Sequence, residues 1–114
     1  MRDIIIGDLV ILGEDLGEMT WRDANNMINK LGPGWRLPTY SEWKEIFWVN
    51  VEKISGINMD ESYWVVQYPG DQNSWSVNFS FMGIQQSNRY DQYYVRPVRE
   101  ITSNTALEYL LKEF

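Results

Sequence analysis

The spacing of apolar positions changes several times along the chain, and each change marks an element. Residues 3–12 hold a dense run of Ile, Leu and Val interrupted by Gly7-Asp8. That composition is β-type, with the Gly-Asp pair either closing a tight hairpin or marking a bulge in a single strand. From Thr20, a good N-cap, the period turns helical. Trp21, Ala24, Ile28 and Leu31 share one face with Met27 beside them. Arg22, Asp23, Asn25, Asn26, Asn29 and Lys30 fall on the opposite, solvated face.

Gly32-Pro33-Gly34 ends this helix, since Gly suits the position after a helix and Pro cannot continue it. Thr39 followed by Glu42 has capping-box spacing and predicts a second helix over residues 40–48, with Trp43, Ile46 and Phe47 inward. Trp35 and Leu37 anchor the connector between the two helices. Arg36, a cation with five donors, reaches carboxylates or carbonyls beneath it. Glu42 reads as the cap partner and Glu45 as a surface charge.

Residues 49–61 lack a clear period and read as a loop with a short extended piece. Tyr63-Trp64-Val65-Val66-Gln67 is β-type, and Pro69-Gly70-Asp71-Gln72-Asn73 is turn material. Residues 75–81 alternate cleanly, which predicts a half-buried strand with Trp75, Val77, Phe79 and Phe81 inward. Gly83 breaks that run, residues 85–92 are polar, and residues 93–99 predict a final strand at an edge or bulge because Pro97 cannot donate. Beyond Ser103, Thr105 and Glu108 have capping-box spacing, while Leu107, Leu110, Leu111 and Phe114 form an apolar stripe. The expectation is an α+β domain over residues 1–101 and a helical extension over 102–114 that packs back or joins another chain.

Composition narrows the chemistry. With 10 basic and 16 acidic residues the net charge is −6, which argues against nucleic acid. There is no Cys and no His, so disulfides, thiolate or imidazole metal sites and Ser-His-Asp catalysis are excluded within this chain. Six Trp and seven Tyr serve cores and recognition surfaces alike. The first residues contain Asp3 and Asp8 and no small-residue cleavage site, so a secretory signal is not expected. No stretch has the length to span a bilayer. The compartment stays open between the cytoplasm and export without such a signal.

Arg36, Arg96 and Arg99 are either a clamp for an anion or, for Arg36 and Arg96 at least, structural partners of carboxylates and carbonyls. Asp60, Glu61 and Asp71, with Asn73, offer oxygen ligands for Ca²⁺, but their spacing matches no known calcium loop. The same acids give no defined carboxyl separation for a glycosidase pair. The segment Gln85-Gln86-Ser87-Asn88-Arg89-Tyr90-Asp91-Gln92-Tyr93 mixes Tyr with adaptable polar groups, as recognition loops do. Tyr68 and Asn73 in the preceding turn can share its side. The candidate ligand-binding residues are therefore Tyr68, Asn73, Asn88, Arg89, Tyr90 and Tyr93. The alternative is a solvated loop whose tyrosines cover neighbouring strands.

Met19-Thr20-Trp21-Arg22-Asp23-Ala24 and Leu31-Gly32-Pro33-Gly34-Trp35-Arg36-Leu37-Pro38-Thr39 with Glu42 resemble the DUF1566 family, the C-terminal domain type of the Legionella collagen-like adhesin. Tyr63-Trp64, Trp75-Ser76-Val77-Asn78-Phe79, Gly83 and Tyr94-Val95-Arg96-Pro97-Val98-Arg99 follow in that family's order. The resemblance runs from about residue 4 to residue 99. It implies a C-type lectin-like fold, two helices flanking a small antiparallel sheet, near the formylglycine-generating enzymes and the variable receptor-binding proteins of phages and bacteria. Those enzymes depend on Cys or His, and calcium-dependent lectins use Glu-Pro-Asn or Gln-Pro-Asp with Trp-Asn-Asp; this chain has none of these. The expected function is a non-catalytic recognition module for a glycan or protein, without metal or cofactor. The alternative is an assembly protein that oligomerises through its C-terminal helix.

Overall fold

The computed structural model describes residues 3–101. The apolar stripe of Leu107, Leu110, Leu111 and Phe114 lies outside them. At the start of the chain β1 (Ile4–Ile6) and β2 (Leu9–Ile11) pair antiparallel, with Ile6 opposite Leu9. Gly7-Asp8 therefore closes a two-residue hairpin, and Gly7 takes a φ of 59° that a side chain would resist. On its other edge β2 pairs with β8 (Val98–Glu100), placing Leu9 opposite Glu100 and Ile11 opposite Val98. All three β2 residues are buried, as the middle strand of a three-stranded sheet requires.

Five more strands form a second sheet: β3 (Glu18–Met19), β4 (Ser62–Trp64), β5 (Ser74–Asn78), β6 (Gly83–Ser87) and β7 (Tyr93–Tyr94). Their spatial order is β3-β7-β4-β5-β6, antiparallel except for β4 beside β7. In register, Tyr63 faces Val77 and Trp64 faces Ser76. Successive residues on a strand point to opposite faces, so the two pairs serve different cores. Tyr63 and Val77 pack with Trp43, Phe47 and Phe79, whereas Trp64 packs with Ala24, Ile28, Leu37 and Val95. One helix thus covers each face.

That two-sided covering corrects the expectation of a half-buried strand over residues 75–81. Ser74 and Ser76 are buried although polar, and the Ser76 and Ser87 hydroxyls share a 2.7 Å hydrogen bond. Phe81, expected inward, is 67% exposed. The strand ends at Asn78, whose side-chain oxygen accepts from the Ser80 N–H and starts a turn that carries Phe81 outward. Buried Met82 closes that turn at φ 51°, its carbonyl accepting from the Tyr40 hydroxyl.

The helix starts and stops follow the sequence signals. Thr20 caps α1 (Trp21–Lys30) by accepting from the Asp23 N–H, and Gly32 leaves the helix at φ 110°. Thr39 and Glu42 form the full capping box of α2 (Tyr40–Glu42). The helix then widens into a π-helical turn (Trp43–Phe47), closed by the Trp48 N–H donating to the Trp43 carbonyl at 2.9 Å. Trp43 and Phe47 are both fully buried, with ring centroids 4.2 Å apart. A 3₁₀ turn (Val51–Lys53) stands where a short extended piece was expected.

Residues 93–99 are two strands, not one. β7 belongs to the larger sheet and β8 to the smaller, with Arg96-Pro97 passing between them. Arg96 is wholly buried at this joint. It donates to the carbonyls of Leu12 (2.6 Å) and Ser55 (2.9 Å) and to Asp15 Oδ1 (3.1 Å). Asp15 Oδ2 accepts from the Tyr63 hydroxyl at 2.6 Å. Burial raises the Asp15 carboxyl above its ordinary value, against the hydrogen bonds from Tyr63 and Arg96 that work to lower it. Arg36 is also structural: its guanidinium forks onto Glu42 at 2.7 and 2.8 Å, and its backbone bridges Val98. Among the described residues no helix is long and apolar enough to cross a membrane.

Candidate functional site

The start of α1 and the turn after β6 meet at one corner of the larger sheet. The Asn88 side-chain oxygen accepts from the Tyr90 N–H at 2.9 Å, and its carbonyl accepts from the Asp91 N–H, so Asn88 shapes the turn. The Trp21 N–H donates to the Arg89 carbonyl at 3.2 Å, fastening turn to helix. The Arg89 guanidinium lies 5.1 Å from the centre of the Trp21 ring, a cation–π distance, and reaches the Gln72 carbonyl at 3.3 Å. Between them opens a cavity of about 430 Å³, lined by Thr20, Trp21, Arg22, Arg89 and Tyr90. This is within the size range of small-ligand pockets.

The chemistry of the lining is one-sided. Both guanidiniums donate and cannot accept. The Trp21 indole N–H, also a donor, is buried and has no partner among the described residues. Tyr90 is 80% exposed, so its ring stands open to solvent at the edge of the cavity. No described carboxylate lines the cavity or is ion-paired with Arg22 or Arg89.

The predicted site residues divide. Arg89 and Tyr90 line the cavity, and Asn88 holds their turn in shape. Asn73 lies in the adjoining turn, its side-chain oxygen accepting from Gln86 at 2.8 Å. Tyr68 and Tyr93 serve packing. The Tyr68 hydroxyl accepts from the Tyr40 N–H at 3.1 Å, and the Tyr93 ring meets Trp64 edge-on at 4.8 Å. Gln85, Gln86 and Ser87, read as loop, are part of edge strand β6. Trp21 and Arg22 line the same cavity but are not among the predicted residues, because helical spacing assigns the first to the core and the second to the solvated face.

A second cavity, about 610 Å³, lies between the β1–β2 hairpin and the second helix and is lined by Asp8, Glu42, Glu45 and Glu100 among others. Glu42 there is already engaged by Arg36 and Thr39. No group of three or more acidic side chains among the described residues is arranged to hold a metal ion. Asp71 spends both oxygens locally, accepting from the Asn73 N–H and the Trp75 indole, bonds that hold its carboxyl below the usual value. Comparison with protein-family models and with curated proteins finds no match to this chain.

Proposed function

We propose that the protein is a non-catalytic recognition module of C-type lectin-like architecture, binding a protein or glycan through the corner where residues 88–90 meet the start of α1. The observation that carries this reading is the cavity of about 430 Å³ between Trp21, Arg22, Arg89 and Tyr90. It combines an exposed aromatic ring with two cations, where the turn of residues 88–90 is fastened to α1 by the Trp21 N–H donating to the Arg89 carbonyl. Order along the chain supports the lectin-like assignment: strands at both ends share one small sheet, and two helices flank a larger one. Two features support a non-catalytic role. The chain lacks Cys and His, and two partly buried acids, Asp15 and Glu42, are engaged by Arg96 with Tyr63 and by Arg36 with Thr39.

Tyr90→Ala tests the reading. The side chain is 80% exposed, so stability should stay within about 0.5 kcal/mol of wild type. Binding to the ligands retained on a protein and glycan array should be lost. Retention of every ligand by the variant refutes the site.

A further inference from the structure

The geometry points to an acidic side chain of a protein partner as the group this cavity receives. The inference rests on the recognition reading above and concerns only the class of ligand. Its basis is a mismatch of donors and acceptors. The Arg22 and Arg89 side chains supply donors alone, and only the Thr20 and Tyr90 hydroxyls can both give and take. A sugar hydroxyl both donates and accepts, and would leave its own proton poorly placed here. An ionised carboxylate only accepts, and its two oxygens match the guanidinium fork.

Two further observations favour a carboxylate carried on a protein. Trp, Tyr and Arg are the residue types that dominate binding energy at protein interfaces, and these are four of the five lining residues. Tyr90 offers its ring to an apolar neighbour beside the acid. The site is also local. The chain carries a net charge of −6, so acidic ligands are repelled by the molecule as a whole and held only where cations gather. The site does not depend on free amides of α1, because the Trp21 and Asp23 N–H groups are already taken by Arg89 and Thr20.

The experiment follows the Trp21 indole N–H signal by NMR in the full chain, assigned with Trp21→Phe. The probes are a glutamate octapeptide, a glutamine octapeptide, a sulfated oligosaccharide and a neutral oligosaccharide. The expected result is a saturable shift with the glutamate peptide and none with the glutamine peptide. Arg22→Gln, at an exposed residue, and Arg89→Gln should each weaken binding about tenfold or more. Arg89→Lys keeps the charge but not the fork; weaker binding supports the fork, and wild-type binding overturns it. Equal shifts with both peptides overturn the proposal. A shift with an oligosaccharide alone overturns the acidic-protein assignment while leaving the recognition site standing. Silence with every probe overturns both.

Discussion

A guanidinium moved out of water costs several kcal/mol unless its donors find partners, and Arg96 shows how that is met. Its partners come from two loops distant from it in sequence, Leu12 and Asp15 in one and Ser55 in the other. Arg96→Ala should cost about 3–5 kcal/mol in urea unfolding, because Asp15 and two carbonyls lose their partner together. Arg96→Lys should recover little, since an ammonium cannot serve three directions from one plane. A substitution with no measurable cost would remove the residue from this role. Val-Arg-Pro-Val-Arg could be picked out in the sequence as a signature, and the structural reading of its arginine was available there. Its three partners were not, because nothing local to Arg96 encodes them.

At the level of elements, the legible signals were those whose physics is local. Gly7-Asp8 between Ile and Leu runs, Thr20 before a helical period, Gly32-Pro33 after it, and Thr39 with Glu42 each act over a few residues. Glu42 then couples the helix start to pH. Burial alone would raise its carboxyl; the hydrogen bonds from Arg36 and Thr39 and the charge of Arg36 outweigh it, and the net shift is downward. A carboxyl lowered on folding contributes stability that is fully present above its ordinary value of 4.5 and lost as the pH falls through the folded value. Glu42→Gln, which retains an acceptor for the Thr39 N–H, should be less stable by on the order of 1 kcal/mol at neutral pH. The gap between the two proteins should close in acid, as read from melting temperatures across pH. A gap independent of pH would assign the effect to shape instead of charge. The periodic pattern did not foretell the π-helical turn, the division of residues 93–99 or the outward Phe81. The division of residues 93–99 follows partners distant in the chain, whereas Phe81 is carried outward by the turn that Asn78 starts.

Across the whole molecule, the candidate site shows the same division between near and distant information. Arg89 and Tyr90 could be found from a polar-aromatic loop, but Trp21 and Arg22 join them only once β6 and β7 bring residues 88–92 over α1. The small sheet carries a consequence for synthesis. Its middle strand, β2, is complete when residue 11 is made, yet one edge waits for β8, which begins at Val98. A nascent chain on the ribosome thus holds Leu9, Val10 and Ile11 beside an unmatched ladder until nearly all described residues have emerged. A chain ending at Val95 should therefore associate through that edge, visible as scattering and early elution on size exclusion. Charged replacements at Val10 should not rescue folding of the full chain, since Val10 is completely buried once β8 arrives. Protection of β2 during translation thus falls to whatever shields apolar edges in the cell, because the protein's own cover is among the last of its strands to be made.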